Sequence, residues 1–122
     1  MEITQRKVGD AIVLSLKGRL DQLAAPKLNA PLSTGNLYIV LDMEGVDYVA
    51  SSGISLLLSM TRRAREKNGD VVLACMQRQI ATVITSMRLD KVFDVFTDIE
   101  SAAKAVVQGP TKPPPEERES PR

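Results

Sequence analysis

The chain has 122 residues, with 16 basic and 15 acidic side chains and no histidine. A chain of this length forms one domain with its own core, and its net charge of +1 gives no strong attraction to nucleic acid. The lack of histidine excludes a Ser-His-Asp catalytic set, and no apolar run reaches the roughly 20 residues needed to span a bilayer.

The first half of the chain predicts a β-hairpin, a weak helix and a buried strand. Gly9-Asp10 is a turn dipeptide between two strand patterns, which is typical of a hairpin. Pro31 is expected to end the weak helix. The continuous apolar run before Asp42 is typical of a strand that is buried on both faces. The predicted strands cover residues 3–8, 11–17 and 37–42, the helix covers residues 22–30, and a loop is expected over residues 43–50.

The second half of the chain alternates helices with strands. Helices are predicted over residues 52–67, 77–88 and 98–108, and strands over residues 71–75 and 92–96. The inward face of the second of these helices is expected to carry Ile80, Val83, Ile84 and Met87. This alternation predicts an α/β fold with a partly parallel sheet and an antiparallel strand at its start.

Few residues of the chain could carry out chemistry. Cys75 is the single cysteine, so no disulfide forms within the chain, and a buried small hydrophobe in a reducing cytoplasm is expected. Asp42, Glu44 and Asp47 lack the glycine spacing of a calcium loop. The basic cluster from Arg62 to Lys67 is expected to complement the dipole of the helix that it ends. We therefore expect a protein that is not an enzyme and takes no metal or cofactor.

The last segment of the chain, residues 109–122, differs in composition from the rest. It holds five of the seven prolines, many charged residues and no large apolar side chain. Such a segment contributes little to a core, so we expect a domain over residues 1–108 and a disordered, proline-rich, charged tail over residues 109–122. A passive tail is favoured over a proline-rich ligand because Pro113-Pro114-Pro115 lacks flanking anchors.

Two serines and a glycine stand between the buried strand and the helix that follows. Ser51 or Ser52 is expected at the helix N-cap, where a hydroxyl oxygen accepts a hydrogen bond from a backbone N–H. The same position would receive a phosphate well, because a helix N-terminus offers N–H donors and a partial positive charge. The residues alone leave both roles open, a structural cap and a modification site.

The order and spacing of four motifs resemble the STAS domain family, in particular the small stand-alone anti-sigma factor antagonists. The motifs are Gly18-Arg19-Leu20-Asp21, the segment Val40 to Val46, the segment Tyr48 to Ile54, and the segment Met87 to Phe93. The resemblance covers residues 3 to about 108. It implies a single STAS domain in which a mixed four- to five-stranded sheet packs against about four helices.

The resemblance also implies a partner switch. Ser51 corresponds to the serine that a partner anti-sigma factor, a serine kinase, phosphorylates, and Ser52 is the second candidate. The unphosphorylated protein would bind the kinase and free a sigma factor, and a metal-dependent serine phosphatase would reset the phosphorylated form. The implied partner-binding residues are Asp21, Tyr48, Ala50, Ser51, Ser52 and Gly53, with Asp21 helping to position the serine. No direct contact with nucleic acid and no membrane insertion are expected.

Two other functions are considered beside the switch. A STAS domain can also serve as a scaffold or assembly subunit, in a stress-sensing or lipid-transport complex, where Ser51 is only a helix cap. A small nucleotide hydrolase is disfavoured for want of catalytic residues. The chain departs from the antagonist pattern at Ala50, where many members have Asp, at Arg88, where glycine is frequent, and between Asp21 and Leu41, where it is about one turn shorter.

Overall fold

A computed structural model describes residues 1–115 of the chain. Its strands are β1 (Glu2–Val8), β2 (Ala11–Leu20), β3 (Tyr38–Val49), β4 (Asp70–Ala74) and β5 (Val95–Phe96). Its α-helices are α1 (Ala25–Ser33), α2 (Ser51–Arg65), α3 (Arg78–Ser86) and α4 (Ile99–Val106). Two 3₁₀ helices of one turn each cover Gln22–Ala24 and Leu89–Lys91.

The five strands form one mixed sheet in the order β1-β2-β3-β4-β5. The hairpin around Gly9 makes β1 antiparallel to β2, and every later neighbouring pair is parallel. Parallel neighbours require crossover connections, and helices supply them. The predicted α/β class, with a mixed sheet of five strands and four α-helices, is confirmed.

The alternation of side chains along the strands produces two cores, one on each face of the sheet. On one face Leu14 and Leu41 join an apolar cluster with Leu57 and other residues of the first three helices. On the other face Val13 and Val40 pack with smaller residues of α4. The continuous apolar run in β3 is therefore explained by helices on both sides of a central strand.

The predicted loop over residues 43–50 is wrong, because β3 continues to Val49. Tyr48 and Val49 pair in parallel with Arg19 and Leu20 of β2, which is itself longer than predicted. The polar residues of this stretch suggested a loop, but pairing with a distant strand satisfies their backbone groups. The central strand therefore runs directly to the start of α2.

Smaller differences affect α1 and the segment after α3. Helix α1 passes through Pro31 and ends at Ser33, so the expectation that Pro31 ends the helix is wrong. Pro31 has no N–H to donate to the carbonyl of Lys27, but its ring is buried and the helix ends two residues later, at Ser33. The strand predicted over residues 92–96 shortens to Val95–Phe96, because Phe93 is instead fully buried in the core.

The prediction of a disordered tail over residues 109–122 stays a prediction. Residues 116–122 lie outside the described residues. Within residues 110–115 there is no helix or strand, but the segment contacts the domain, for example through an ion pair between Lys112 and Asp94 at 3.2 Å. Over residues 1–115, none of the helices has both the length and the apolar character needed to cross a membrane.

Candidate functional site

Ala50 alone connects β3 to α2, and it occupies the helix N-cap. Its N–H donates to the carbonyl of Leu20 at 2.9 Å, and its own carbonyl accepts from the N–H groups of Gly53 and Ile54. The expectation that Ser51 or Ser52 caps the helix is therefore wrong. Because β3 continues to Val49, the cap falls one residue earlier, on a side chain that cannot accept a hydrogen bond.

Ser51 is the first residue of α2, and its side chain is exposed. Its hydroxyl makes no hydrogen bond to any residue in the range 1–115, and the N–H groups of Ser51 and Ser52 have no acceptor within that range. The first turn of α2 carries no acidic side chain. An added anion would thus meet uncompensated donors and the positive end of the helix dipole.

Ser52 has a different environment, although it is the next residue. Its hydroxyl oxygen accepts a 3.1 Å hydrogen bond from the backbone N–H of Gln22, at the start of the first 3₁₀ helix. Ser52 is half-buried. The hydroxyl of Ser52 therefore has a structural role, and that of Ser51 does not.

Asp21 caps the first 3₁₀ helix. Its carboxylate accepts from the N–H of Leu23 at 3.0 Å and lies 3.7 Å from the guanidinium of Arg19. No hydrogen bond links Asp21 to Ser51 or Ser52 in the part of the chain that the structure describes. Any influence of Asp21 on the serines is indirect. Asp21 orders the start of the first 3₁₀ helix, where the N–H of Gln22 donates to the hydroxyl of Ser52.

Tyr48 and two large apolar side chains are exposed near the start of α2. Tyr48 is 49% exposed, and the guanidinium of Arg19 lies 4.4 Å from its ring centroid. Leu23 is 82% exposed, on the 3₁₀ helix that bonds to Ser52. Met87 is 50% exposed. Exposed apolar and aromatic side chains around a polar centre are typical of a protein-binding surface.

Met87 corrects the prediction made for α3. On the face of α3 that was expected to point inward, Ile80 and Ile84 are buried, but Val83 and Met87 are exposed. Helical spacing identifies an apolar stripe but not how much of its width the neighbouring elements cover. Leu23 gave no signal in the sequence, because a single leucine in a short turn has no periodicity to reveal its exposure.

Two clefts flank the exposed part of α2. One, of about 320 Å³, is lined by Ser51, Ile54, Leu58, Met87 and Leu89, among others. The second, of about 520 Å³, lies between α1 and α2 on the side of Ser52, and we call it the α1–α2 groove. The helix N-terminus therefore stands between two depressions, and the side chain of Ser51 borders the more apolar one.

Gly53 is buried where α2 meets the end of β2. A Cβ atom at this position would lie 2.5 Å from the carbonyl oxygen of Leu20. This is closer than real Cβ contacts permit, so only glycine lets the helix start this close to the sheet. Its proposed place among the partner-binding residues stays a prediction, and its visible role is packing.

The remaining candidates do not join in a metal-ligand cluster within residues 1–115. No cluster of potential metal ligands is present there, and Asp42 instead accepts from the hydroxyl of Ser15 at 3.0 Å. Cys75 follows the end of β4 and is only partly buried, so the expectation of a buried small hydrophobe is met only in part. Burial raises the pKa of the Cys75 thiol, and nearby carboxylates raise it further, which keeps the thiol protonated at neutral pH.

Arg65 is a buried charge that the sequence did not reveal. It belongs to the basic cluster that was expected to complement the helix dipole, but its side chain is 1% exposed and lies 2.8 Å from the carboxylate of Asp70. It also donates to the carbonyls of Val92 at 2.6 Å and Pro113 at 3.2 Å. Burial raises the pKa of the Asp70 carboxyl, and the Arg65 guanidinium opposes that rise. Sequence spacing alone could not show that these four residues meet.

The sheet order, the helices on both faces and the serine at the start of α2 define a single STAS domain. The chain belongs to the STAS domain family, whose model matches residues 2–102. BtrV of Bordetella bronchiseptica, described by its name as an anti-sigma factor antagonist, is 27% identical over 109 residues, which cover 86% of this chain and 94% of BtrV.

Solved structures give the same fold. TM1081 of Thermotoga maritima superposes with a TM-score of 0.77 at 17% identity, covering 86% of this chain and 94% of TM1081. The anti-sigma factor antagonist SpoIIAA in its unphosphorylated form gives a TM-score of 0.64 at 23% identity, over 88% of this chain and 99% of SpoIIAA. The phosphorylated form of SpoIIAA from Bacillus gives 0.65 at 23% identity, over 85% and 99%. The predicted family and fold are confirmed.

Proposed function

We propose that this chain is an anti-sigma factor antagonist that is controlled by phosphorylation of Ser51. The observation that carries the proposal is the state of Ser51, whose exposed hydroxyl makes no hydrogen bond within residues 1–115 and stands at a helix N-terminus without acidic side chains. The names of BtrV and SpoIIAA, and the existence of SpoIIAA in a phosphorylated form, support it.

The proposed partner is an anti-sigma factor that is also a serine kinase. In the unphosphorylated state the surface around Ser51, with Leu23, Tyr48 and Met87, binds the kinase and frees its client. That surface supplies three exposed apolar or aromatic side chains and the small polar side chain of Ser51. The cycle consumes ATP, so we place it in the cytoplasm, and a metal-dependent serine phosphatase restores the free hydroxyl.

Phosphorylation would act by electrostatics on a fixed scaffold. A phosphoserine carries about −1.5 to −2 charges. The N–H groups of Ser51 and Ser52 can receive part of that charge without unfolding the helix. At a closed interface the same charge would have to lose its water, which costs several kcal/mol unless the partner supplies a cation. The partner would therefore dissociate while the domain stays folded.

Ser51 is proposed ahead of Ser52 because only the hydroxyl of Ser52 is already engaged in a hydrogen bond within the described part of the chain. Phosphorylation of Ser52 would replace the hydroxyl that accepts the hydrogen bond from Gln22, and its half-buried side chain would first have to leave the turn. Phosphorylation of Ser51 breaks no hydrogen bond within the described part of the chain.

The second candidate function is a STAS scaffold or assembly subunit without phosphorylation. Ala50 favours it, because the acidic side chain found in many antagonists is missing directly before Ser51. The two functions use the same surface but differ in whether Ser51 is modified, so a single assay separates them.

The deciding experiment incubates the chain with its cognate anti-sigma factor kinase and ATP, and locates phosphate by mass spectrometry. We expect one phosphate, on Ser51, with Ser51→Ala unmodified and Ser52→Ala still modified. Ser51→Asp should bind the kinase at least tenfold more weakly than the parent, while Gln5→Glu, which adds one negative charge at an exposed position of β1, serves as the charge control. Binding of the kinase without modification of either serine would favour the scaffold.

A further inference from the structure

The segment that follows α4 crosses to another part of the domain. Residues 110–115, which we call the C-terminal strap, lie beyond residues 2–102 that match the family model. Helix α4 packs on one face of the sheet, whereas the strap reaches α2, which packs on the other face. The strap therefore brings residues from beyond the matched region into contact with α2, the helix that carries Ser51.

Lys112 anchors the strap near β5. Its ammonium group lies 3.2 Å from the carboxylate of Asp94 and donates to the carbonyl of Asp90 at 3.3 Å. The lysine and the aspartate are each 29% exposed, so solvent screens this ion pair only in part. Two acceptors from neighbouring turns thus fix one side chain of the strap.

Arg65 provides a second anchor, one residue further along. Its guanidinium donates to the carbonyl of Pro113 at 3.2 Å while the same side chain pairs with Asp70 and bonds to Val92. A buried arginine with two other partners has little freedom to move, so it presents a fixed donor to the strap. Arg65 is the last residue of α2, so its hydrogen bond to Pro113 holds the strap against the C-terminal end of that helix.

Pro115 lies in the wall of the α1–α2 groove. Pro113 and Pro114 are exposed, whereas Pro115 is half-buried and lines the groove with Asn29, Ser52 and other residues. Proline suits an extended cover, because it has no N–H to satisfy and loses little conformational freedom when it is ordered. The strap thus runs from two polar anchors to a contact in the groove beside the second serine.

We propose that the C-terminal strap is an intramolecular cover of the α1–α2 groove, which limits access of a partner protein to the groove side of α2. The strap contacts the groove through Pro115, which forms part of the groove wall, so a partner that docks across the start of α2 into the groove has to displace the strap. The identity of that partner rests on the proposed function, but the docking of the strap does not.

The docking is tested by NMR on the full chain labelled with ¹⁵N. Lys112→Glu places a negative charge beside Asp94, so the strap should detach and shift the amide signals of Asn29, Ser52, Ser55 and Ser59 on the groove. Lys7→Glu is the control, because it makes the same charge change on β1. The double variant Lys112→Glu/Asp94→Lys should restore the parent's signals. Groove signals that move no more in Lys112→Glu than in Lys7→Glu would overturn the proposal.

The covering role is tested by affinity for the anti-sigma factor kinase. Lys112→Glu should bind the kinase at least threefold more tightly than the parent, and the charge-reversed double variant should return to the parent's value. Equal or weaker binding by Lys112→Glu would show that the strap does not limit access. If the kinase binds none of these variants, the proposed function fails, and the NMR comparison still decides whether the strap docks.

Discussion

The backbone N–H of Gln22 donates a 3.1 Å hydrogen bond to the hydroxyl of Ser52 and joins the first 3₁₀ helix to the start of α2. We expect Ser52→Ala to lower the free energy of unfolding by about 1 kcal/mol, because the amide of Gln22 loses its acceptor. Ser51→Ala should change it by less than about 0.5 kcal/mol, because no hydrogen bond is lost. Urea denaturation of the two variants measures both values, and equal losses would contradict the assignment of separate roles.

Gly53→Ala should destabilise the domain through overpacking. The added Cβ would lie 2.5 Å from the carbonyl oxygen of Leu20, so helix or strand must shift. We expect a loss of about 1–3 kcal/mol in the free energy of unfolding. Ser55→Ala, an exposed change in the same helix, is the control and should be neutral or slightly stabilising. A Gly53→Ala variant as stable as the control would show that the junction is loosely packed.

The ion pair between Arg65 and Asp70 predicts a large effect of removing one partner. Arg65→Met leaves the Asp70 carboxylate buried and unpaired, and the expected loss of stability is about 3–5 kcal/mol. Arg63→Met removes an exposed arginine two residues earlier, which donates to Asn29, and should cost no more than about 1 kcal/mol. Chemical denaturation of the two variants compares these losses directly.

Asp70 should also give an unusual dependence of stability on pH. Burial raises the pKa of its carboxyl above 3.8, so the folded protein holds this proton more tightly than the unfolded chain. The resulting stabilisation is fully present below pH 3.8 and is lost as the pH rises through the folded pKa. The stability of the parent relative to Asp70→Asn should therefore increase as the pH falls from 7 towards 4. A relative stability that falls over this range would mean a lowered pKa.

Arg88 lies in the left-handed region with a φ of 59°, between α3 and the second 3₁₀ helix. Glycine adopts this conformation without strain, which explains why glycine is frequent here in the pattern that the chain resembles. Arg88→Gly should raise the free energy of unfolding by about 0.5–1 kcal/mol. Ser86→Gly, at the end of α3, should lower it by a similar amount. Thermal unfolding of the two variants tests whether the two substitutions change the stability in opposite directions.

Local signals predicted much of the fold and part of the site. The hairpin at Gly9, the apolar run of β3 and the start of a helix close to Ser51 follow from turn chemistry and hydrophobic pattern. The extension of β3 to Val49 could not be predicted, because its hydrogen-bond partners belong to a strand that is distant in sequence. Burial of Arg65 likewise depends on residues that only the fold brings together.

In the proposed switch, the one-residue link at Ala50 also lowers the entropic cost at which a partner recognises Ser51. A serine on a long loop would sample many positions, and a partner would have to order that loop at a cost in conformational entropy. Here the serine follows the central strand of the sheet after a single residue whose N–H and carbonyl are both hydrogen-bonded. Recognition can therefore proceed by rigid docking, so that affinity reports the chemistry of one side chain and not the folding of a loop.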